Sequence, residues 1–280
     1  MRFLFTLLLA ALLVMGVWTF VDYETFLMGP SPEGYTWWWP SEVSTYGQDI
    51  DFLFNLIAFM VLVFFVLTTG LLVYVVWKFS KRRSDKALFT HGSHRLEMIW
   101  TAIPAMLLVV IAFSQMTTWA DIKFKRAFEG EEVFAEITAS QFDWRFRYPG
   151  ADGRFGTLDD IESPYELVVP MEMDEDGSPR KLVFNMRSRD VLHSFFIPKL
   201  RLKQDAVPGM VIPIWFALDP EQVAEEKDQS FDIICAELCG WGHYKMSGRL
   251  RIVSPEEYEE WMAEQVAMRF SNGIEEGDEG

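Results

Sequence analysis

Soft metal-ligating side chains crowd into one short run of this 280-residue chain, Cys235-Ala236-Glu237-Leu238-Cys239-Gly240-Trp241-Gly242-His243-Tyr244-Lys245-Met246. It holds both cysteines of the chain and one of its four histidines. Thiolate, imidazole and thioether together suit copper. A mononuclear blue-copper site takes one Cys, two His and a weak Met. The second cysteine makes two metals bridged by two thiolates the better fit, and such a pair needs one further histidine: His91, His94 or His193. Two plainer readings stay open. A Cys235–Cys239 disulfide is the ordinary fate of a cysteine pair in an exported domain, but it leaves His243 and Met246 without a purpose. A zinc site of two Cys and two His leaves the thioether unused.

Hydropathy and charge narrow the choice of histidine. Phe3–Val21, Phe52–Trp77 and Met98–Ala120 carry no charged residue, and a bilayer core takes about 20 apolar residues in a helix. The run after the second stretch, Lys78-Phe79-Ser80-Lys81-Arg82-Arg83-Ser84-Asp85-Lys86, is a cytoplasmic anchor. Asp22–Asp51 has no Lys or Arg, so that loop and residues 121–280 lie outside. His91 and His94 then face the cytoplasm, and His193 is the one left on the side of the cysteines. Residues 1–21, with Arg2 before an apolar run, read as either a signal peptide or an extra transmembrane helix.

The elements that must hold the ligands are short strands. Residues 133–138, 144–148, 182–186, 211–216 and 248–253 alternate or run apolar between Gly, Pro and Asp punctuation, which predicts an all-β sandwich or barrel. Residues 149–180 read as a long loop region with room for one hairpin. Ser254-Pro255-Glu256-Glu257 opens a helix whose apolar face is Tyr258, Trp261, Met262 and Val266. The boundaries are therefore 1–21 signal or helix, 22–50 outer loop, 51–120 helical hairpin, 121–254 β domain, and 255–280 helix with an acidic tail.

The net charge of −16 sits almost entirely in that outer part, where residues 121–280 hold 33 Asp and Glu against 18 Lys and Arg. Such a domain disfavours nucleic acid and favours a basic protein partner.

Four separated motifs resemble the cytochrome c oxidase subunit II family. They are Cys-x-Glu-x-Cys-x-x-x-His-x-x-Met at 235–246, Val191-Leu192-His193-Ser194, Lys203-Gln204-Asp205-Ala206-Val207-Pro208-Gly209, and Glu97-Met98-Ile99-Trp100-Thr101-Ala102-Ile103-Pro104. The resemblance spans roughly residues 50–254. It implies an α+β membrane protein, a transmembrane helical hairpin followed by a cupredoxin-like Greek-key domain. It implies a dinuclear copper (copper A) centre bridged by Cys235 and Cys239. His193 and His243 would each terminate one copper, with Met246 a weak axial ligand and Glu237 a carbonyl ligand. The Glu237 carboxylate would reach Mg or Mn shared with the catalytic subunit. Glu97 would stand at the mouth of a proton-uptake path.

The implied function is to accept electrons from a c-type cytochrome and pass them to the haems and copper B of subunit I, where O2 becomes water with proton translocation. The implied setting is a bacterial inner membrane, multi-pass, among other oxidase subunits, with the copper domain periplasmic. Gln141, Phe142, Trp144 and Asp190 are the expected donor-docking residues. Phe142 departs from the family's Gln-Trp-x-Trp pattern, which points towards a membrane-anchored donor or one held in a larger assembly. No Cys-x-x-Cys-His run occurs, so no haem is expected on this chain. A quinol-oxidase subunit lacks the copper ligands, and nitrous oxide reductase needs more than four histidines. A copper-handling assembly protein is the remaining alternative.

Overall fold

The computed structural model describes residues 40–80, 89, 91–124, 128 and 130–275. The expected 1–21 segment, most of the 22–50 loop, Lys81–Lys86 and the end of the acidic tail lie outside these residues. Two compact units divide the chain, one comprising 1–40 and 49–117, the other 41–48 and 118–280.

The first unit is helical. α1 (Gly47–Lys78) carries Asp49 in its first turn and Lys78 in its last, charges that suit the two ends of a helix dipole. Its 32 residues exceed the roughly 20 a bilayer core needs. α2 (His94–Ser114) has 21 residues and keeps Pro104 inside it. Both are long and apolar enough to cross a membrane. Helix α2 ends at Ser114 and the chain turns at Gln115 into α3 (Met116–Lys123), most of which belongs to the second unit, so the expected single stretch to Ala120 is two helices.

The second unit is a sandwich of two five-stranded sheets. The strands are β1 (Val133–Ser140), β2 (Asp143–Tyr148), β3 (Ile161–Pro164), β4 (Glu166–Pro170), β5 (Leu182–Ser188), β6 (His193–Ile197), β7 (Leu202–Ala206), β8 (Ile212–Phe216), β9 (Ser230–Cys235) and β10 (Ser247–Val253). One sheet runs β3-β2-β1-β5-β8 and the other β4-β10-β9-β6-β7. β1–β5 and β4–β10 are parallel, and the remaining pairs are antiparallel.

Period-two alternation builds the core. Trp144, Phe146 and Tyr148 of β2 point inward while Arg145 and Arg147 point out. Small Ala135 and Ala139 on β1 leave room for these rings, and Ala139 is the register partner of Trp144. Trp144 then meets Phe195 of the other sheet edge-on, with centroids 5.2 Å apart.

Residues 149–180 hold more than a loop with one hairpin: a tight hairpin does close where Met173 bridges Pro179 antiparallel and Asp174 N–H donates to the Ser178 carbonyl, but two strands precede it. β3 pairs with β2 in one sheet and β4 with β10 in the other. Tyr165 makes the change of sheet with φ +64°. Its N–H donates to the Trp144 carbonyl and its own carbonyl accepts from Arg249, so one residue ties both layers. A Cβ on Gly248 would lie 2.6 Å from that Tyr165 oxygen, which is why glycine sits there.

The described end of the expected 22–50 loop is held against the sandwich until α1 begins at Gly47. Val43 is fully buried, its N–H donates to the Lys199 carbonyl, and its own carbonyl accepts from Asp219. Thr45 donates to the Ala217 carbonyl. This segment is sewn onto the sandwich by backbone bonds that hydropathy cannot reveal. A short helix, α4 (Pro220–Glu225), starts on an Asp219 cap. The last helix, α5 (Pro255–Glu275), starts at a reciprocal capping box between Ser254 and Glu257. Tyr258 and Trp261 settle its apolar face on Phe134 and Tyr148.

Candidate metal centre

Strand register assembles the donors. Phe195 of β6 is the partner of Cys235 at the end of β9, and Ala236 donates to the Ser194 carbonyl just beyond. That pairing brings His193 beside Cys235, with Nδ1 4.0 Å from Sγ. The chain then turns back, through a 3-10 turn at His243–Lys245, into β10. The turn sets His243 Nδ1 3.6 Å from Cys239 Sγ. Met246 Sδ stands 3.7 Å from Cys239 Sγ and 3.1 Å from His193 Nδ1. The Glu237 carbonyl oxygen is 3.2 Å from Cys235 Sγ, while the Glu237 side chain is exposed.

The two sulfurs are free thiols 3.9 Å apart, against about 2.05 Å for a disulfide bond. His193, Cys235 and Cys239 can point ligand atoms within 4.8 Å of one another. The thioether lies inside the cluster, which fits copper and gives zinc no use for it. His193, Cys235, Cys239 and Met246 are buried and His243 is half-buried, so water reaches the cluster from one side. Burial, and then the neighbouring Cys235 thiol, pushes the Cys239 thiol up to about 11. A metal must therefore displace a proton to bind there.

A second tier of contacts fixes the donors. Asp190 Oδ1 lies 2.8 Å from His193 Nε2. A carboxylate only accepts, so Nε2 carries the hydrogen and Nδ1 presents its lone pair to the cluster. Burial raises the Asp190 carboxyl, but hydrogen bonds from His193 and from the Gln141 and Val191 N–H groups outweigh it and hold the carboxyl below its ordinary value. The Gln141 side chain donates to the Cys239 carbonyl at 2.5 Å. Phe142 is half-buried and lies under the copper-motif loop, where a Cβ on Gly242 or Gly240 would run into its ring.

The residues singled out in the sequence thus fall into three places. The six proposed donor groups gather in one cluster, with Gln141, Phe142 and Asp190 touching its loops. Trp144 is fully buried against His193, with ring centroids 6.2 Å apart. Glu97 belongs to the helical unit, exposed in the first turn of α2 with His94 Nδ1 3.3 Å away. Sequence reasoning missed the loop-clamping work of Gly240 and Gly242. Their position either side of Trp241 inside the motif was the available signal.

Known proteins carry the same pattern. Residues 35–117 match the family model for the cytochrome c oxidase subunit II transmembrane domain, and residues 134–253 that for its periplasmic domain. Cytochrome c oxidase subunit 2 of Yarrowia lipolytica is 30% identical over 232 residues, covering 76% of this chain and 88% of the relative. The chain belongs to the cytochrome c oxidase subunit II family. An alternative cytochrome c oxidase subunit 2 of Bradyrhizobium diazoefficiens is 28% identical over 255 residues, 85% of this chain and 87% of the relative. The crystal structure of the periplasmic domain of a Bradyrhizobium japonicum subunit II aligns with TM-score 0.38 and 23% identity, covering 48% of this chain and 93% of that one. As a subunit II, this chain is a membrane protein, part of a haem–copper oxidoreductase, and the subunit through which electrons are taken up. Its sandwich is a cupredoxin-like, copper-binding domain.

Proposed function

We propose that this subunit II takes electrons from a c-type cytochrome at a dinuclear copper centre and hands them to the haems of subunit I. The reading rests on the convergence of two thiols, two imidazole Nδ1 atoms and a thioether in one pocket. Cys235, Cys239, His193, His243, Met246 and the Glu237 carbonyl would together hold the metals. When bound, the centre supplies one-electron redox chemistry shared over both metals.

The chain's own part is to keep that geometry unchanged between redox states. Strands β6, β9 and β10 hold His193, Cys235 and Met246 from a rigid sheet. Asp190 fixes the His193 ring, Gln141 fixes the carbonyl of Cys239, and burial keeps water from the sulfurs. A site that moves little on reduction transfers electrons quickly. The exposed Glu237 carboxylate is free to reach a Mg or Mn shared with subunit I. With both outer histidines committed, no haem is held by this chain. The positive charges after α1 orient the chain with its copper domain on the periplasmic side of a bacterial inner membrane, and Glu97 at the opposite face would serve proton uptake.

Copper loading of the full-length, detergent-solubilised chain tests the reading. One electron shared equally by two copper nuclei should appear in the EPR hyperfine pattern. A mononuclear pattern, or copper lost to a mild chelator, would refute it in favour of a copper-handling protein.

A further inference from the structure

The metal-binding loop also carries the most exposed aromatic side chain among the described residues of the β unit. Trp241 is 81% exposed, two residues from Cys239 and two from His243. Leaving so large an apolar ring in water is unfavourable. The ring is nonetheless held in place. Phe142 meets it edge-on with centroids 5.4 Å apart, and the Lys245 ammonium lies 5.6 Å from its centre. The glycines on either side seat the loop on Phe142, so the rim of the metal pocket is stiff under the indole.

Other exposed apolar residues accompany the ligands. Val191 and Leu192 precede His193, Leu238 precedes Cys239, and Tyr244 follows His243. Each stretch that brings a donor to the cluster thus brings an apolar side chain to the surface beside it. A stiff tryptophan amid modest apolar contacts is the arrangement of a binding hot spot.

We infer that Trp241 is the anchor on which the c-type cytochrome donor docks, placing the donor's haem edge over the copper loop. This rests on the relay reading above. A docked donor would give up one electron, its haem iron passing from ferrous to ferric, and the copper that Cys235, Cys239, His193, His243 and Met246 would hold would be reduced by that one electron. No bond forms or breaks, no proton moves, and Trp241 itself is not oxidised. The acidic charge of the domain steers a basic donor inward, and Trp241 sets how long it stays.

The test uses the purified oxidase with a soluble basic c-type cytochrome as probe. Trp241→Ala should weaken cytochrome binding on a sensor surface at least 10-fold, nearly all of it through faster dissociation, with the salt dependence of association unchanged. Flash-induced electron transfer within the complex should slow in parallel, and Trp241→Phe should recover part of both. Leu158→Ala, on a distant loop and 93% exposed, should change neither. Equal dissociation rates for wild type and both Trp241 variants would overturn the inference. So would a Trp241→Ala subunit that keeps its cytochrome affinity but separates from the catalytic subunit, since Trp241 would then be an assembly contact. Copper EPR on the same samples separates the two claims. If the wild type lacks the shared-electron pattern, the relay reading fails. If the pattern is intact and binding is unaltered, only the role of Trp241 fails.

Discussion

Replacing Gly242 by alanine should loosen the metal loop, and the structure gives the size of the effect. A methyl at Gly242 would lie 2.4 Å from Phe142 Cδ2, 2.7 Å from Cγ and 2.8 Å from Cε2. Carbon atoms in contact sit about 3.5 Å apart, so ring or loop must retreat by about 1 Å. Neither has an easy way out, because Phe142 also underlies Gly240 and props Trp241. The backbone at Gly242, with φ −92° and ψ 7°, is open to alanine, so the cost is steric and not conformational. Overpacking of this kind costs about 1–3 kcal/mol. In a domain of this size that lowers the unfolding temperature by about 2–4 °C per kcal/mol. Thermal unfolding of the copper-loaded chain reads the loss, and EPR reads any displacement of His243. Phe142→Ala should relieve the clash, so the double-mutant cycle should show coupling of at least about 1 kcal/mol. A Gly242→Ala protein with wild-type melting and spectrum, or a penalty unchanged by Phe142→Ala, would refute the argument that the β1–β2 turn clamps the loop.

Three other predictions rest on single contacts. Asp190→Asn leaves the ring of His193 without its anionic acceptor, and copper affinity should fall about 10–100-fold in a chelator competition. Tyr148→Phe removes the hydroxyl that accepts from Val168 N–H at 2.8 Å and donates to the Val168 carbonyl at 3.0 Å. Both groups are buried, so stability by denaturant titration should drop by about 2–4 kcal/mol. Ser254→Ala breaks the capping box of α5 and should cost about 1 kcal/mol in the same titration, without touching the copper spectrum.

Much of the helical unit and strands β1, β2, β5, β8 and β10 were legible because local pattern decides them. The β2 run Trp144-Arg145-Phe146-Arg147-Tyr148 alternates so cleanly that its buried face follows from period two alone. Helix α5 announced itself through Ser254, Pro255 and Glu257. Strands β6, β7 and β9 were not anticipated. His193–Ile197 is buried nearly throughout, its polar His193 and Ser194 included, and Leu202–Ala206 is mostly polar, so neither shows an apolar–polar alternation. The hairpin expected within 149–180 forms at Met173–Pro179, but strands β3 and β4 were hidden among turn residues, because Tyr165 sends the chain from one sheet to the other.

The sequence by itself determined which atoms are available to the metal. Two cysteines, His193 beyond the motif, and a methionine close to both left few other choices. Charge beside the apolar stretches supplied the expectation that they meet on the outer side of the membrane. Only the tertiary structure decided how they meet. His193 reaches Cys235 across 42 residues because β6 and β9 pair in one register, and Gln141 reaches the Cys239 carbonyl across 98. A strand slipped by one residue would turn His193 to the opposite face and dissolve the cluster. Residue types and local spacing are written along the chain, but contacts at such separations depend on register and sheet packing, which no local pattern encodes.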